Sequence, residues 1–288
     1  MCEISDLKKR QRDSVLLNFQ LSGPPAVILS PSMWYCRKRT YLVAVLTRVS
    51  EPGVRAAFRS TYGRFKEMFN FVILFPLGLS NSTDVNTDVI REHSAYGDIL
   101  QSDFVDSYEN LTIKTYSFSN YIRESCTQVR AVLKVDDDLA WNVGQMFDYL
   151  FKINQTTKEL YCRTVKNPLV NRDKRERWYI SEADYPYKHF PEYCLSPVYA
   201  ATPATISALA EATNKIPHLW LDDVWSLGIV AYEAGVSFRQ LSFNVERDIH
   251  QPFLNGSVIT QYFSTKLDGL QLFDAVNAKL LTQPHAFA

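Results

Sequence analysis

Short apolar runs of strand length, separated by stretches with helical spacing, set the frame for this chain. Residues 41–46 form one such run, residues 71–75 a second, and residues 129–135 a third with polar breaks at Arg130 and Lys134. Pro52 fits the first turn of a helix continuing through Val54, Phe58 and Tyr62, because proline's missing N–H costs nothing there. Strand, helix and strand in that order predict a βαβ unit and a parallel sheet. Residues 80–88 read as a polar loop, 89–94 as a short helix and 99–104 as another short strand. The spacing predicts helices over 111–123, 143–151, 203–214, 222–234 and 266–281. In the last of these Leu267, Leu270, Phe273, Val276 and Leu280 share one face, which reads as core packing. Residues 163–192, rich in charge, proline and aromatics, read as long functional loops. Residues 1–35 hold Gly23-Pro24-Pro25 and Pro31 and read as a stem or irregular lead-in, with residues 36–288 as the folded α/β domain.

The third run ends in Asp136-Asp137-Asp138. Three adjacent carboxylates at the end of a buried strand cost free energy unless a cation or a donor-rich ligand neutralises them. A solvated acidic turn is the plain alternative. A divalent metal bridging to a diphosphate suits the oxygen donors, because hard carboxylate ligands select Mg²⁺ or Mn²⁺. Asp222-Asp223 forms a second carboxylate pair at a predicted helix N-terminus, where the macrodipole favours the ionised form.

Composition narrows the function classes. Lys plus Arg and Asp plus Glu are both 31, so there is no basic field to argue for nucleic acid. No stretch approaches the length of a membrane-spanning helix, and the first twenty residues show neither a signal core nor an anchor. Taken alone, that favours the cytosol. Five cysteines allow at most two disulfides, and the sequons at Asn81, Asn110, Asn154 and Asn255 point the other way, towards a secretory compartment.

The order of several further motifs resembles the β1,3-galactosyltransferase and N-acetylglucosaminyltransferase family, glycosyltransferase family 31. Residues 55–63, RAAFRSTYG, are similar to its R-x-x-I-R-x-T-W-G, and residues 96–115 resemble its longest motif. Lys134-Val135-Asp136-Asp137-Asp138, Trp178-Tyr179-Ile180-Ser181, Phe190-Pro191-Glu192-Tyr193-Cys194 and Leu221-Asp222-Asp223-Val224 then follow in the family's order. The resemblance implies a GT-A fold, a single Rossmann-like domain with a mixed, mostly parallel sheet flanked by helices. It also implies inverting transfer of galactose or N-acetylglucosamine from a UDP-sugar to a glycan hydroxyl, with Mn²⁺ as cofactor and a β1,3 linkage. By matched position, Asp138 is the metal ligand and Asp136 and Asp137 hold the nucleotide sugar. Arg55 and Arg59 bind its phosphates. Asp223 is the base that takes the acceptor's proton, with Asp222 in support. Family cysteines flanking the site imply a Cys126–Cys194 disulfide, leaving Cys36 with Cys162 by elimination. The family is typically anchored in the Golgi membrane facing the lumen, whereas this sequence shows no anchor.

Two departures bear on activity. Leu195-Ser196-Pro197-Val198-Tyr199 stands where the family is Gly-rich, so side chains there can narrow the pocket. Residues 258–263 contain no histidine where the family offers one to the metal, and His250 lies upstream at the wrong spacing. These motivate the alternative of a weakly active homologue that binds UDP-sugar or glycan. A two-carboxylate glycoside hydrolase fits less well, since it needs no adjacent triplet.

Overall fold

The computed structural model describes residues 21–241, 243–244 and 249–282; Cys2 and the first twenty residues of the predicted lead-in lie outside the described residues. Strand β1 (Val27–Leu29) falls inside the predicted lead-in and pairs antiparallel with β4 (Ile99–Val105), so the sheet begins earlier than the composition suggests. Strand β2 (Tyr41–Leu46) buries every residue, as a strand covered on both faces must. Helix α1 (Pro52–Ser60) leads through a 3₁₀ turn, Tyr62–Phe65, to β3 (Phe71–Leu79), which pairs parallel with β2. β3 passes through Pro76 and Gly78. Pro76 is tolerated because β2 pairs only with residues 71–74, leaving one side of the strand unpaired there.

Helix α2 (Thr83–Tyr96) replaces the predicted loop at 80–88, starting behind the Ser82 cap and burying only Val89. Its polar circumference hid it from a periodicity reading. Helix α3 (Leu111–Ser125) precedes β5 (Ala131–Asp136), which returns to pair parallel with β2 on the side away from β3. Short β6 (Leu139–Trp141) and α4 (Val143–Phe151) follow. The antiparallel half of the sheet, β7 (Glu159–Val165) and β8 (Tyr193–Ala201), flanks residues 166–192. Helix α5 (Pro203–Thr213) comes next. Helix α6 is built of three consecutive pieces, Asp222–Val224, a π-helical Trp225–Ile229 and Val230–Glu233. After β9 (Ser237–Gln240) come β10 (Phe243–Asn244), α7 (Gln251–Leu254), β11 (Thr260–Tyr262) and α8 (Lys266–Thr282).

The main sheet runs β1-β4-β3-β2-β5-β8-β7-β9, and β10-β11-β6 form a second, small sheet. The chain steps from β2 to β3 to β4 in one direction, then jumps back across β2 to β5. Ligand crevices in such sheets open where the strand order reverses, at the carboxyl ends of the two strands. Leu46 is in register with Asp136, so that switch point lies between the loop after β2 and the aspartate triplet.

On α8 the predicted apolar face is rotated. Leu272, Phe273 and Asn277 are buried, whereas Leu267 and Leu270 are exposed. Asn277 explains the offset, since its side chain accepts from Val143 N–H and donates to the Trp141 carbonyl, fixing which face turns inward.

The predicted disulfides are corrected. Cys36 joins Cys126 and Cys162 joins Cys194, with Cα separations of 5.3 and 5.7 Å. Pairing follows spatial adjacency: Cys194 lies opposite Thr164 in the β7–β8 ladder, two residues from Cys162. The bridge therefore ties together the two ends of the long loop, and does not tie that loop to the triplet strand.

Candidate active site

Lys134 is buried in β5, and its Nζ donates to Asp136 Oδ1 and to the Ser196 carbonyl, both at 2.5 Å. This places one cation under the triplet and joins β5 to β8. Burial still pushes the Asp136 carboxyl up to about 7 against the pull of Lys134, although 31% of the side chain meets solvent. Burial likewise pushes Asp137 up to about 6, with the Asp138 charge adding to it and Arg48 opposing. The charges at this turn are thus incompletely compensated by the protein itself.

The triplet divides two clefts. Asp137 and Asp138 line one of about 470 Å³ together with Arg48, Glu51 and the start of α8. Asp136 lines another of about 550 Å³, with Asp223, Ser196 and the aromatic rings of Tyr108, Trp178, Tyr193 and Trp220. Among the described residues no three His, Cys, Asp or Glu side chains close round one point. The donor set nonetheless fits Mg²⁺ or Mn²⁺, which are commonly held by one or two carboxylates and completed by phosphate and water. A partly uncompensated carboxylate group at a cleft is the environment such an ion stabilises.

Asp222 and Asp223 sit at the first turn of α6 but have different surroundings. Asp222 is buried and accepts from Thr115 Oγ1 at 3.1 Å and Ser226 Oγ at 2.7 Å. Burial raises its carboxyl to about 6, with Lys134 opposing. Asp223 faces the cleft. Burial raises it too, while hydrogen bonds from Ser196 and the charge of Lys134 pull it back. Thus Ser196, one of the residues replacing the family's glycines, contacts the candidate base. His250 lines neither cleft.

Arg55 and Arg59 are not brought to the triplet as open phosphate ligands. Arg55 donates to both Glu92 oxygens, to Thr47 Oγ1 and to the carbonyls of Arg48 and Val49. That uses all five of its N–H groups. Arg59 pairs bidentately with Asp98 and bonds Glu92 at 2.7 Å, its plane lying over the Tyr96 ring. The physical reason is burial: a guanidinium sunk this far needs carboxylate partners, and α2 and the start of β4 supply them.

Sequence reasoning gave no role to Lys114, on helix α3. It is buried, donating to Asp106 at 2.8 Å and to the Thr47 carbonyl at 2.9 Å. Asp106 also accepts from Gly78 N–H. Residues 96–115 thus work as an internal brace, fastening the loop after β2 through Lys114 and Asp222 through Thr115. Arg172 was missed as well: it organises residues 166–192 by donating to the carbonyls of Ile180, Tyr185 and Tyr187. From that loop Trp178 Nε1 reaches Tyr108 Oη at 3.0 Å.

Residues 54–242 match the sequence model of the galactosyltransferase family. The chain belongs to that family. Human β-1,3-galactosyltransferase 5 is 28% identical over 221 residues, covering 75% of this chain and 69% of that protein. UDP-GalNAc:β-1,3-N-acetylgalactosaminyltransferase 1 of Mus musculus is 29% identical over 189 residues, 64% of this chain and 57% of that protein. Among solved structures, galactosyltransferase LgtC in complex with donor and acceptor sugar analogues aligns at TM-score 0.36 and 12% identity, covering 82% of this chain and 95% of that one. As a member of the galactosyltransferase family the chain is a hexosyl-transferring enzyme, and membership implies a nucleotide-sugar donor and a glycan acceptor. Such enzymes are generally metal-dependent. Among the described residues no helix is long and apolar enough to cross a membrane.

Proposed function

We propose that this enzyme moves a hexose, galactose or N-acetylglucosamine, from a UDP-sugar to a glycan hydroxyl, inverting the anomeric carbon and forming a β1,3 linkage. The observation that carries the reading is the division of the site by the triplet. One carboxylate pair faces a cleft at the switch point of the sheet, and a separate carboxylate, Asp223, faces an aromatic cleft on the other side. The nucleotide sugar occupies the first cleft and the acceptor the second. Asp138 would hold the metal, taken as Mn²⁺, and Asp137 borders the nucleotide sugar, while Asp136, proposed from the sequence for the same role, faces the second cleft from the divide between the two. When bound, the divalent ion offsets negative charge on the departing diphosphate.

Asp223 accepts the proton of the attacking acceptor hydroxyl. Its raised affinity for protons suits it to that work, since a base functions best with a pKa near the working pH. Ser196 and Lys134 favour its ionised form against the effect of burial. Asp222, held by Thr115 and Ser226, fixes the turn that aims its neighbour. Trp178, Tyr108 and Trp220 offer flat apolar faces to the acceptor's sugar rings. Arg55 and Arg59 hold the cleft wall and do not touch phosphate. The Golgi lumen is the proposed compartment, supported by two disulfides that suit an oxidising environment.

UDP release from a panel of UDP-sugars, with galactose- and N-acetylglucosamine-terminated acceptors, tests this. Release should require acceptor and Mn²⁺ and stop with chelator. UDP–Mn²⁺ binding without transfer to any acceptor would favour a sugar-nucleotide-binding homologue, and metal-independent release would overturn the role of Asp138.

A further inference from the structure

With Arg55 and Arg59 closed into buried ion pairs, the cleft before Asp137 and Asp138 is lined, among the described residues, by two other cationic side chains, Arg48 and Lys266. They stand on different walls. Arg48 follows β2, in a loop whose carbonyls are tied back into the protein: Lys114 holds Thr47, and Arg55 holds Arg48 and Val49. Its main chain is therefore fixed while its side chain is exposed beside Asp137. Lys266 opens α8 on the other wall. There Asp268 N–H donates to Thr265 Oγ1 and Thr265 N–H donates to Asp268 Oδ2, a reciprocal cap that fixes where the helix starts. Gly269 lets the helix lie against Phe263, whose ring would be 2.7 Å from any Cβ there.

The Lys266 ammonium reaches across to Glu51 Oε2 at 3.3 Å, and its side chain is 73% exposed. An ion pair that open contributes little and exchanges readily. A diphosphate offers more charge and more acceptor oxygens than one carboxylate, so it competes well for the ammonium. Glu51, Asp137 and Asp138 alone would repel it.

We infer that Arg48 and Lys266 grip the donor's diphosphate from the two walls of this cleft, Lys266 leaving Glu51 to do so. The inference rests on the reading of this cleft as the nucleotide-sugar site. Both residues lie outside 54–242, so the family match does not carry this role.

Binding of UDP and of uridine, by calorimetry and ligand-observed NMR with Mn²⁺ present and omitted, tests it without relying on turnover. Lys266→Met and Arg48→Met should each weaken UDP about tenfold while leaving uridine unchanged. Lys266→Arg should retain most of the UDP affinity. Glu51→Gln should tighten UDP by releasing the lysine. Wild-type UDP affinity in Lys266→Met overturns the inference, and so does an equal loss for UDP and uridine, which would mean that the side chain only shapes the wall. A wild type that binds no UDP overturns the parent reading as well.

Discussion

Asp222 and Asp223 are neighbours in sequence and both border the aromatic cleft, yet Asp222 is buried with its carboxylate accepting from two hydroxyls, whereas Asp223 is the more exposed of the two. Asp223→Asn should therefore lower transfer by about 10²–10⁴ with UDP affinity unchanged, and a wild-type rate would move the base elsewhere. The triplet and this pair were legible because each is a local cluster of charge at a strand end or a helix start. Partners distant in sequence were not: nothing near Arg55 announces Glu92, and their bidentate pair turns an expected phosphate ligand into a brace. Arg55→Met should accordingly cost about 3 kcal/mol in urea unfolding without nucleotide present. A residue that served only phosphate would leave that free energy unchanged.

At the scale of elements, the parallel half of the sheet follows from alternating strands and helices, whereas β7, β8 and β9 are specified by who lies beside whom. The cysteine pairing implied by the resemblance fails for the same reason, because the β7–β8 register sets Cys194 beside Cys162. Peptide mapping without reductant should recover Cys36 linked to Cys126 and Cys162 linked to Cys194; a Cys126–Cys194 peptide would contradict the fold near the loop. Removing the second bridge should cost about 3–4 kcal/mol by loop-closure entropy. Helix α6 carries a further constraint in its π-helical turn, a feature frequent at functional sites. A Cβ at Gly228 would lie 2.8 Å from the Cβ of Tyr193, where β8 begins its approach to Ser196. Gly228→Ala should thus destabilise by about 1–3 kcal/mol, measured as a lowered urea midpoint.

Over the whole molecule, most polar burial is compensated, with Arg55, Arg59 and Lys114 each meeting carboxylates. The carboxylates around the triplet and the first turn of α6 are compensated less fully, and no sequence pattern shows it because burial there is set by the elements packed around them. Asp222 is raised to about 6 from 3.8, and Asp136 and Asp137 are raised to about 7 and about 6. A carboxyl raised in the folded state binds more protons folded than unfolded between the two pKa values, so stability falls as pH rises through that window. Acidification from pH 8 towards 5 should therefore stabilise the ligand-free protein, with Asp222 alone contributing about 1 kcal/mol. Below that window the trend reverses. Glu92 is pushed up by burial but pulled lower still by Arg55 and Arg59, and stability derived from its ionised form is lost as it protonates. Urea midpoints between pH 8 and 3 should thus pass through a maximum on the acid side of neutrality. Asp222→Asn should flatten the rise, and UDP with Mn²⁺, which needs the triplet ionised, should oppose it by shifting the maximum towards neutral pH. A midpoint that falls steadily from pH 8 downwards would mean that these carboxylates are already compensated, and that the crevice holds no uncompensated charge for a metal and a diphosphate to relieve.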